Sequence, residues 1–318
     1  MQEIVIYLGS KCNLDCPYCH REASKYEAGI ADELLDYLKD RECIIAFKGG
    51  EPTLYMDDIK KVVAAAAKAK FRISTNAVLL DRYLDYFREH EFEICISYDG
   101  ETAVRGYDPF TKLINYPWLY VSTTLHHGNT DIEKLLDDLA NKSLIVGHYL
   151  NFYPHLVHCT NERNKDYALT DKDYNSIADQ IKEGIRKYLI DIVRYGTVNR
   201  RYRSLYLMLK GKLECGYSYG ETFCANQNTQ RIDAAGHRYN CLYIRDVELG
   251  ADWQEQQKQI IASLALGCSD CPVYDMCGAG CVKSLQHDKE CAFYRDLYGW
   301  FKEFYDRNQD ALESVECI

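Results

Sequence analysis

Three cysteines stand close together near the start of the chain, in the run Lys11-Cys12-Asn13-Leu14-Asp15-Cys16-Pro17-Tyr18-Cys19. Thiolates are soft metal ligands, and a loop of this length can wrap Cys12, Cys16 and Cys19 around one centre. On a four-iron cluster, three ligands leave one iron open to a small molecule, whereas a structural site closes its coordination. Two blander accounts use the same residues: a zinc knuckle completed by His20, or cysteines that are merely buried. A second field of thiols comprises Cys215, Cys224, Cys241, Cys268, Cys271, Cys277, Cys281 and Cys291, with Cys268 and Cys271 as a CxxC pair. Eight thiols in one segment are enough for two fully ligated clusters, or for two zinc ribbons of four cysteines each.

The elements that must position these groups alternate in kind. Short β-branched or aromatic runs at Glu3–Leu8, Cys43–Phe47, Phe71–Thr75, Phe92–Ser97, Trp118–Leu125 and Leu144–Phe152 read as strands. Between them apolar residues recur at helical spacing, as in Ile30, Leu34, Leu35 and Leu38 or Ile132, Leu135, Leu136 and Leu139. Repeated βα units build a parallel sheet. Eight would close a barrel, so six predict an α/β fold in which a partial (β/α)6 TIM-like barrel stays open on one side to admit a bulky substrate. Ligands gather at the C-terminal ends of such strands, and polar motifs fall there: Lys48-Gly49-Gly50-Glu51-Pro52, Ser74-Thr75-Asn76 and Ser97-Tyr98-Asp99-Gly100. A Gly-Gly pair is ordinarily a turn, and a polar strand end is ordinarily a cap.

Beyond Pro154 the pattern predicts helices over Asp171–Leu189 and Tyr202–Leu209, then the cysteine-rich stretch, then a terminal helix bearing Phe293, Leu297, Trp300, Phe301 and Phe304. The expected organisation is a barrel over 1–153, a helical bridge over 154–214, a cluster-binding segment over 215–291 and a C-terminal helix over 292–318.

The first triad, with Tyr18 before its last cysteine, resembles the radical S-adenosylmethionine (radical SAM) superfamily. That resemblance implies a four-iron cluster on Cys12, Cys16 and Cys19 whose open iron is chelated by S-adenosylmethionine. Reductive cleavage of the cofactor then gives a 5′-deoxyadenosyl radical that removes a substrate hydrogen, with electrons from a donor such as flavodoxin or ferredoxin. The glycines Gly49 and Gly50 resemble the family's GGEP motif, implying close backbone approach to the cofactor, with Glu51 meeting the methionine ammonium. Thr75 and Asn76, and Ser97 and Asp99, resemble its TN and SxDG segments, implying contacts to the methionine carboxylate or the ribose.

The later cysteines resemble the SPASM extension of peptide- and protein-modifying relatives, including anaerobic sulfatase-maturating enzymes. Carried over, the pattern places one auxiliary cluster on Cys215, Cys224, Cys241 and Cys281 and a second on Cys268, Cys271, Cys277 and Cys291, making three [4Fe-4S] clusters in all. Closed four-thiolate sites suit electron transfer, support or redox tuning. The resemblance implies a peptide or protein substrate. A small molecule or an amino-acylated nucleobase in phage-type DNA is the alternative, and a non-catalytic zinc-binding interaction protein is an alternative of another class. The chain opens directly at its first strand, so no leader-binding domain is expected ahead of the barrel.

Composition sets the outer bounds. With 47% hydrophobic and 27% charged residues, the 318-residue chain has the make-up of a globular protein. No apolar run is long enough to span a bilayer, and the first residues do not form a secretory signal. A cytoplasmic location is expected, where clustered thiols are metal ligands rather than disulfides. The net charge of −10 argues against an enveloping nucleic-acid surface. Locally, Arg186, Lys187, Arg194, Arg200, Arg201, Arg203, Lys210 and Lys212 face only Asp191 across residues 186–212, which leaves room for an anionic partner. His126, His127, His155 and His158 fall near strand ends and are weak candidates for proton transfer. The 27 tyrosines are most simply packing residues. Of the remaining cysteines, Cys43 and Cys95 read as core, Cys317 as incidental, and Cys159 as the one to test for activity.

Overall fold

A computed structural model describes residues 1–19, 27–100, 108–159, 162–241 and 247–314; His20 and Cys317 lie outside them. Six strands follow in the expected order: β1 (Glu3–Tyr7), β2 (Ile44–Lys48), β3 (Lys70–Thr75), β4 (Glu93–Ser97), β5 (Leu119–Leu125) and β6 (Asn151–Leu156). Each pairs in parallel with the next, as helical crossovers demand. The helices are α1 (Asp32–Leu38), α2 (Met56–Ala65), α3 (Leu84–Glu89), α4 (Ile132–Val146), α5 (Asp171–Tyr195), α6 (Arg200–Cys215), α7 (Trp253–Leu264), α8 (Tyr274–Cys277) and α9 (His287–Glu313). The fold is a partial TIM-like α/β barrel, and the sheet does not close on itself.

One expectation is corrected. The apolar run Leu144-Ile145-Val146 is not the start of the sixth strand but the last turn of α4, stopped by Gly147 in the left-handed conformation at φ 85°. Glycine takes that conformation without the Cβ penalty and closes the helix, so β6 begins only at Asn151 and the boundary expected at 153 falls within it. The cysteine-rich stretch adds a strand to this sheet, β7 (Thr229–Asp233), which pairs in parallel with β1 from Glu3 opposite Thr229 to Tyr7 opposite Asp233. A short antiparallel β8 (Arg238–Tyr239) follows, giving the order β6-β5-β4-β3-β2-β1-β7-β8.

The two faces of this sheet differ. Ile4, Ile6, Ile45, Phe47, Ile73, Ile94, Ile96, Val121 and Phe152 form one fully buried face against the helices. The register puts the intervening residues Arg72, Ser74, Cys95, Ser97, Tyr120, Ser122, Tyr153 and His155 on the other. Parallel sheets are normally apolar on both faces; a polar second face is the mark of a barrel with a wet hollow. At its floor, Arg72 bridges both Glu3 at 2.9 Å and Glu93 at 2.6 Å. Among the described residues, no helix is long and apolar enough to cross a membrane.

Outside the barrel, α5 begins with a capping box, Thr170 and Asp173 exchanging side-chain and backbone bonds. It packs against α6 and α9, burying Tyr188 against Tyr206 and Tyr174 against Phe293.

Candidate metal and cofactor site

The loop after β1 carries Cys12, Cys16 and Cys19, all partly accessible. A turn closed by Cys19 N–H donating to Cys16 O at 3.0 Å brings the last two thiols round. The ends of three successive strands then grip this loop. After β2, Gly50 N–H donates to Gly9 O at 2.9 Å and Glu51 N–H to Lys11 O at 2.7 Å. A Cβ on Gly49 would come within 2.8 Å of Gly9 O, and one on Gly50 within 2.1 Å of Lys11 O. Both glycines are therefore required for close backbone approach, and what they approach is the cysteine loop itself.

Glu51 is 1% exposed, and its carboxylate faces the protein. One oxygen accepts from the Thr53 and Thr75 hydroxyls, each at 2.6 Å, and the other from Asn76 N–H at 2.8 Å. These bonds tie the end of β3 to the end of β2. Removing the Thr75 hydroxyl by Thr75→Val leaves that buried anion short of a donor. The expected loss is about 1–3 kcal/mol of stability, read from the shift in a chemical denaturation midpoint.

Asn76, beyond β3, donates from Nδ2 to Asn13 Oδ1 at 2.8 Å and to Cys12 Sγ at 3.8 Å. A thiolate ligand held this way is oriented from outside the metal shell. Beyond β4, Asp99 accepts from the Tyr18 hydroxyl and, at 2.8 Å, from Thr124 N–H, so the aromatic inside the cysteine motif is anchored to two strands. Tyr18 also stacks on His126, with ring centroids 4.7 Å apart. Ser97 ends β4 on the concave face, opposite Ser122. Sequence reasoning missed Arg163, which pairs with Asp15 in the same loop and reaches the thiols of Cys19 and Cys16 electrostatically. Only packing brings residues so far apart in the chain together.

The second thiol field also converges. Cys268, Cys271, Cys277 and Cys291 line one cavity, with Tyr274, His287, Glu290 and Tyr294 completing its wall. Burial, then the neighbouring thiols Cys291, Cys271 and Cys268, push the Cys277 thiol up to about 12, a cost that bound iron cations reverse. Cys281 is likewise pushed up to about 12 by burial, with Cys224 and Cys241 among the groups bearing on it. Between Cys277 and Cys281, three consecutive residues, Gly278, Ala279 and Gly280, have φ between 56° and 60°. This left-handed turn swings the chain from one group of thiols to the other. Among the described residues, no group of three or more His, Cys, Asp or Glu side chains is drawn close enough to hold a metal ion, Cys12, Cys16 and Cys19 included. Cys268, Cys271, Cys277 and Cys291 are instead spread around a shared cavity.

The sequence profile of the Radical SAM superfamily matches residues 6–138, the stretch that supplies the cysteine loop and the strand ends gripping it. The chain carries a radical SAM domain. Two curated relatives are similar along nearly all of it. Both are described as cysteine-type anaerobic sulfatase-maturating enzymes, one from Clostridium perfringens (23% identical, covering 93% of this chain and 93% of the relative) and one from Clostridium novyi (23%, 96% and 94%). A solved structure described as BtrN in complex with AdoMet and 2-DOIA aligns distantly, at TM-score 0.40 and 14% identity over 83% of this chain and 86% of that one.

Other candidates separate by environment. His127 Nδ1 lies 2.8 Å from Asp173 Oδ2, at the cap of α5 and outside the radical SAM loop. His158 pairs with Glu290 at 3.3 Å. Cys43 and Cys95 are buried in the sheet as expected. Cys159 is 2% exposed, donates to Asn164 O and has its thiol pushed up by burial, the opposite of the accessible, lowered-pKa setting of a reactive thiol. In the basic stretch, Lys187 bridges Glu133 at 3.1 Å, while Arg201 bridges Glu133 at 2.5 Å and Asp137 at 2.7 Å. These charges are used within the fold, which removes much of the support for a nucleic-acid partner.

Proposed function

We propose that the chain is a radical SAM enzyme that modifies a residue of a peptide or protein. In this reading Cys12, Cys16 and Cys19 hold a four-iron cluster with one open iron. Cys215, Cys224, Cys241 and Cys281 hold one closed auxiliary cluster, and Cys268, Cys271, Cys277 and Cys291 another. Held by Cys12, Cys16 and Cys19, such a cluster would supply the electron for reductive cleavage of bound S-adenosylmethionine, and with it the radical chemistry that removes a substrate hydrogen.

The chain's own share is placement and shielding. Gly49 and Gly50 hold the cysteine loop against β2, Glu51 locks Thr75 and Asn76 beside it, and Asp99 fixes Tyr18. Thr75, Asn76, Ser97 and Asp99 lie at or just past the C-terminal ends of β3 and β4, the end of the sheet that carries the cysteine loop, where cofactor contacts would form. The open side of the barrel admits a large substrate, while its polar concave face keeps the bound atoms in a defined orientation. Electrons would come from a reduced flavodoxin or ferredoxin.

The single observation that carries this reading is the convergence of three strand ends on a three-cysteine loop. The choice of a protein substrate is supported by relatives named for maturing sulfatases. Anaerobic reconstitution followed by metal counting tests the metal assignment: about twelve irons per chain are expected for three four-iron clusters. Zinc in place of iron would overturn it.

A further inference from the structure

The cysteine loop is gripped from a second side, by the segment that follows β6. There Glu162–Tyr167 forms one 3-10 stretch, and two of its side chains reach the loop. Arg163 pairs with Asp15, the residue before Cys16, and Tyr167 meets the Tyr18 ring edge-on with centroids 6.1 Å apart. The stretch is itself braced. Asn164 is fully buried and its Nδ2 donates to His158 O at 3.0 Å, while Tyr167 O accepts from His127 N–H at 3.0 Å. On either side of it, Cys159 O accepts from Leu285 N–H at 2.7 Å and Leu169 O from Gln286 Nε2 at 3.0 Å, tying it to the late cysteine segment. Arg163 is therefore delivered to the loop from a fixed base, although both members of its ion pair reach solvent. Exposed pairs add little to folding, so the consequence of this one is where it puts charge.

We propose that Arg163 is a positioning residue for the cysteine loop: it cancels the Asp15 carboxylate beside Cys16 and makes the cluster on Cys12, Cys16 and Cys19 easier to reduce. The inference rests on the radical SAM reading of that loop. The donor set fits such a group, with three partly accessible thiols on one loop, of which Cys12 takes a hydrogen bond from Asn76 Nδ2 at 3.8 Å. Reduction brings one electron from the external donor to a centre already carrying three thiolates, and no bond forms or breaks. A nearby anion opposes the added negative charge and a nearby cation favours it, which is how net charge sets cluster potentials. Asp15 alone would hold the potential down. Arg163, with Cys19 and Cys16 as its further charge neighbours, offsets that carboxylate. The two partners therefore act with opposite sign, which a purely packing role would not produce.

The test is an anaerobic redox titration of the reconstituted holoenzyme followed by electron paramagnetic resonance. It reads the signal that shifts when S-adenosylmethionine is added, which separates the open-iron cluster from any closed one. Arg163→Gln is expected to lower the midpoint, disfavouring reduction about tenfold, equivalent to about 59 mV for a one-electron couple. Asp15→Asn should raise it by a similar factor, the double variant should return close to the starting value, and Arg163→Lys should keep it. Unchanged midpoints in both single variants overturn the proposal. So does a shift of the same sign in both, which would mean that the pair only holds the loop in shape. Iron content and circular dichroism identify a variant that has failed to fold; if Arg163→Gln fails, the sign of the Asp15→Asn shift decides. Wild-type protein with iron but no signal responsive to S-adenosylmethionine sinks the radical SAM reading itself; a responsive signal whose midpoint ignores both substitutions sinks only the role of Arg163.

Discussion

Replacing Cys16 with alanine is expected to abolish 5′-deoxyadenosine release from S-adenosylmethionine and reductant, and to remove about four of about twelve irons per chain. Cys16 also forms the turn that brings Cys19 round, its carbonyl accepting from Cys19 N–H at 3.0 Å, and it packs partly against the main core. The remaining iron, about eight per chain, should persist because the later thiols lie on other elements. Iron assay and chromatographic detection of 5′-deoxyadenosine on one preparation read both numbers. Undiminished release from the variant would remove the basis for assigning the open-iron cluster to this loop.

Gly50→Ala should be nearly as damaging, though it touches no proposed ligand. Its Cβ would come within 2.1 Å of Lys11 O and 2.5 Å of Ser10 O, both backbone atoms that cannot rotate away. The loop is held there by Gly50 N–H to Gly9 O and Glu51 N–H to Lys11 O, so relief means moving the loop off β2. Overpacking of this kind costs about 1–3 kcal/mol, and an ångström of misplacement at a reacting centre costs about a hundredfold in rate. A fall of about two orders of magnitude in 5′-deoxyadenosine release is therefore expected. Gly29→Ala is the control, since nothing lies within 4 Å of its added Cβ. If the two variants release 5′-deoxyadenosine alike, the tight docking of the loop is not what the chemistry depends on.

Much of the site is legible in the sequence because its determinants are local. A strand pattern ending in Gly49-Gly50-Glu51, in Thr75-Asn76 or in Ser97-Asp99 fixes which end of the sheet carries polar groups. Parallel topology then brings those ends together whatever their separation in the chain. Cysteine spacing likewise announces metal loops before any partner is known. What the sequence hides is the direction a side chain takes once there. Nothing in the sequence tells that the Glu51 carboxylate is buried and bonded to Thr53, Thr75 and Asn76. Arg163 becomes a neighbour of Asp15 only through the packing of the segment after β6. The run Leu144-Ile145-Val146 shows the limit of short apolar stretches, whose helical or extended state was decided by the glycine that follows. In β7, Thr229-Gln230-Arg231-Ile232-Asp233 has a single large apolar residue and gains its strand state from pairing with β1.

That last pairing ties assembly at one end of the polypeptide to assembly at the other. The strand that feeds the early cysteine loop has β2 on one flank and, on the other, a ribbon drawn from the late cysteine segment. Should the late segment fail to mature, β1 becomes a bare edge with unsatisfied amides, and the loop at its tip loses half its footing. Full footing for the early loop therefore requires the β7 segment to be folded against β1.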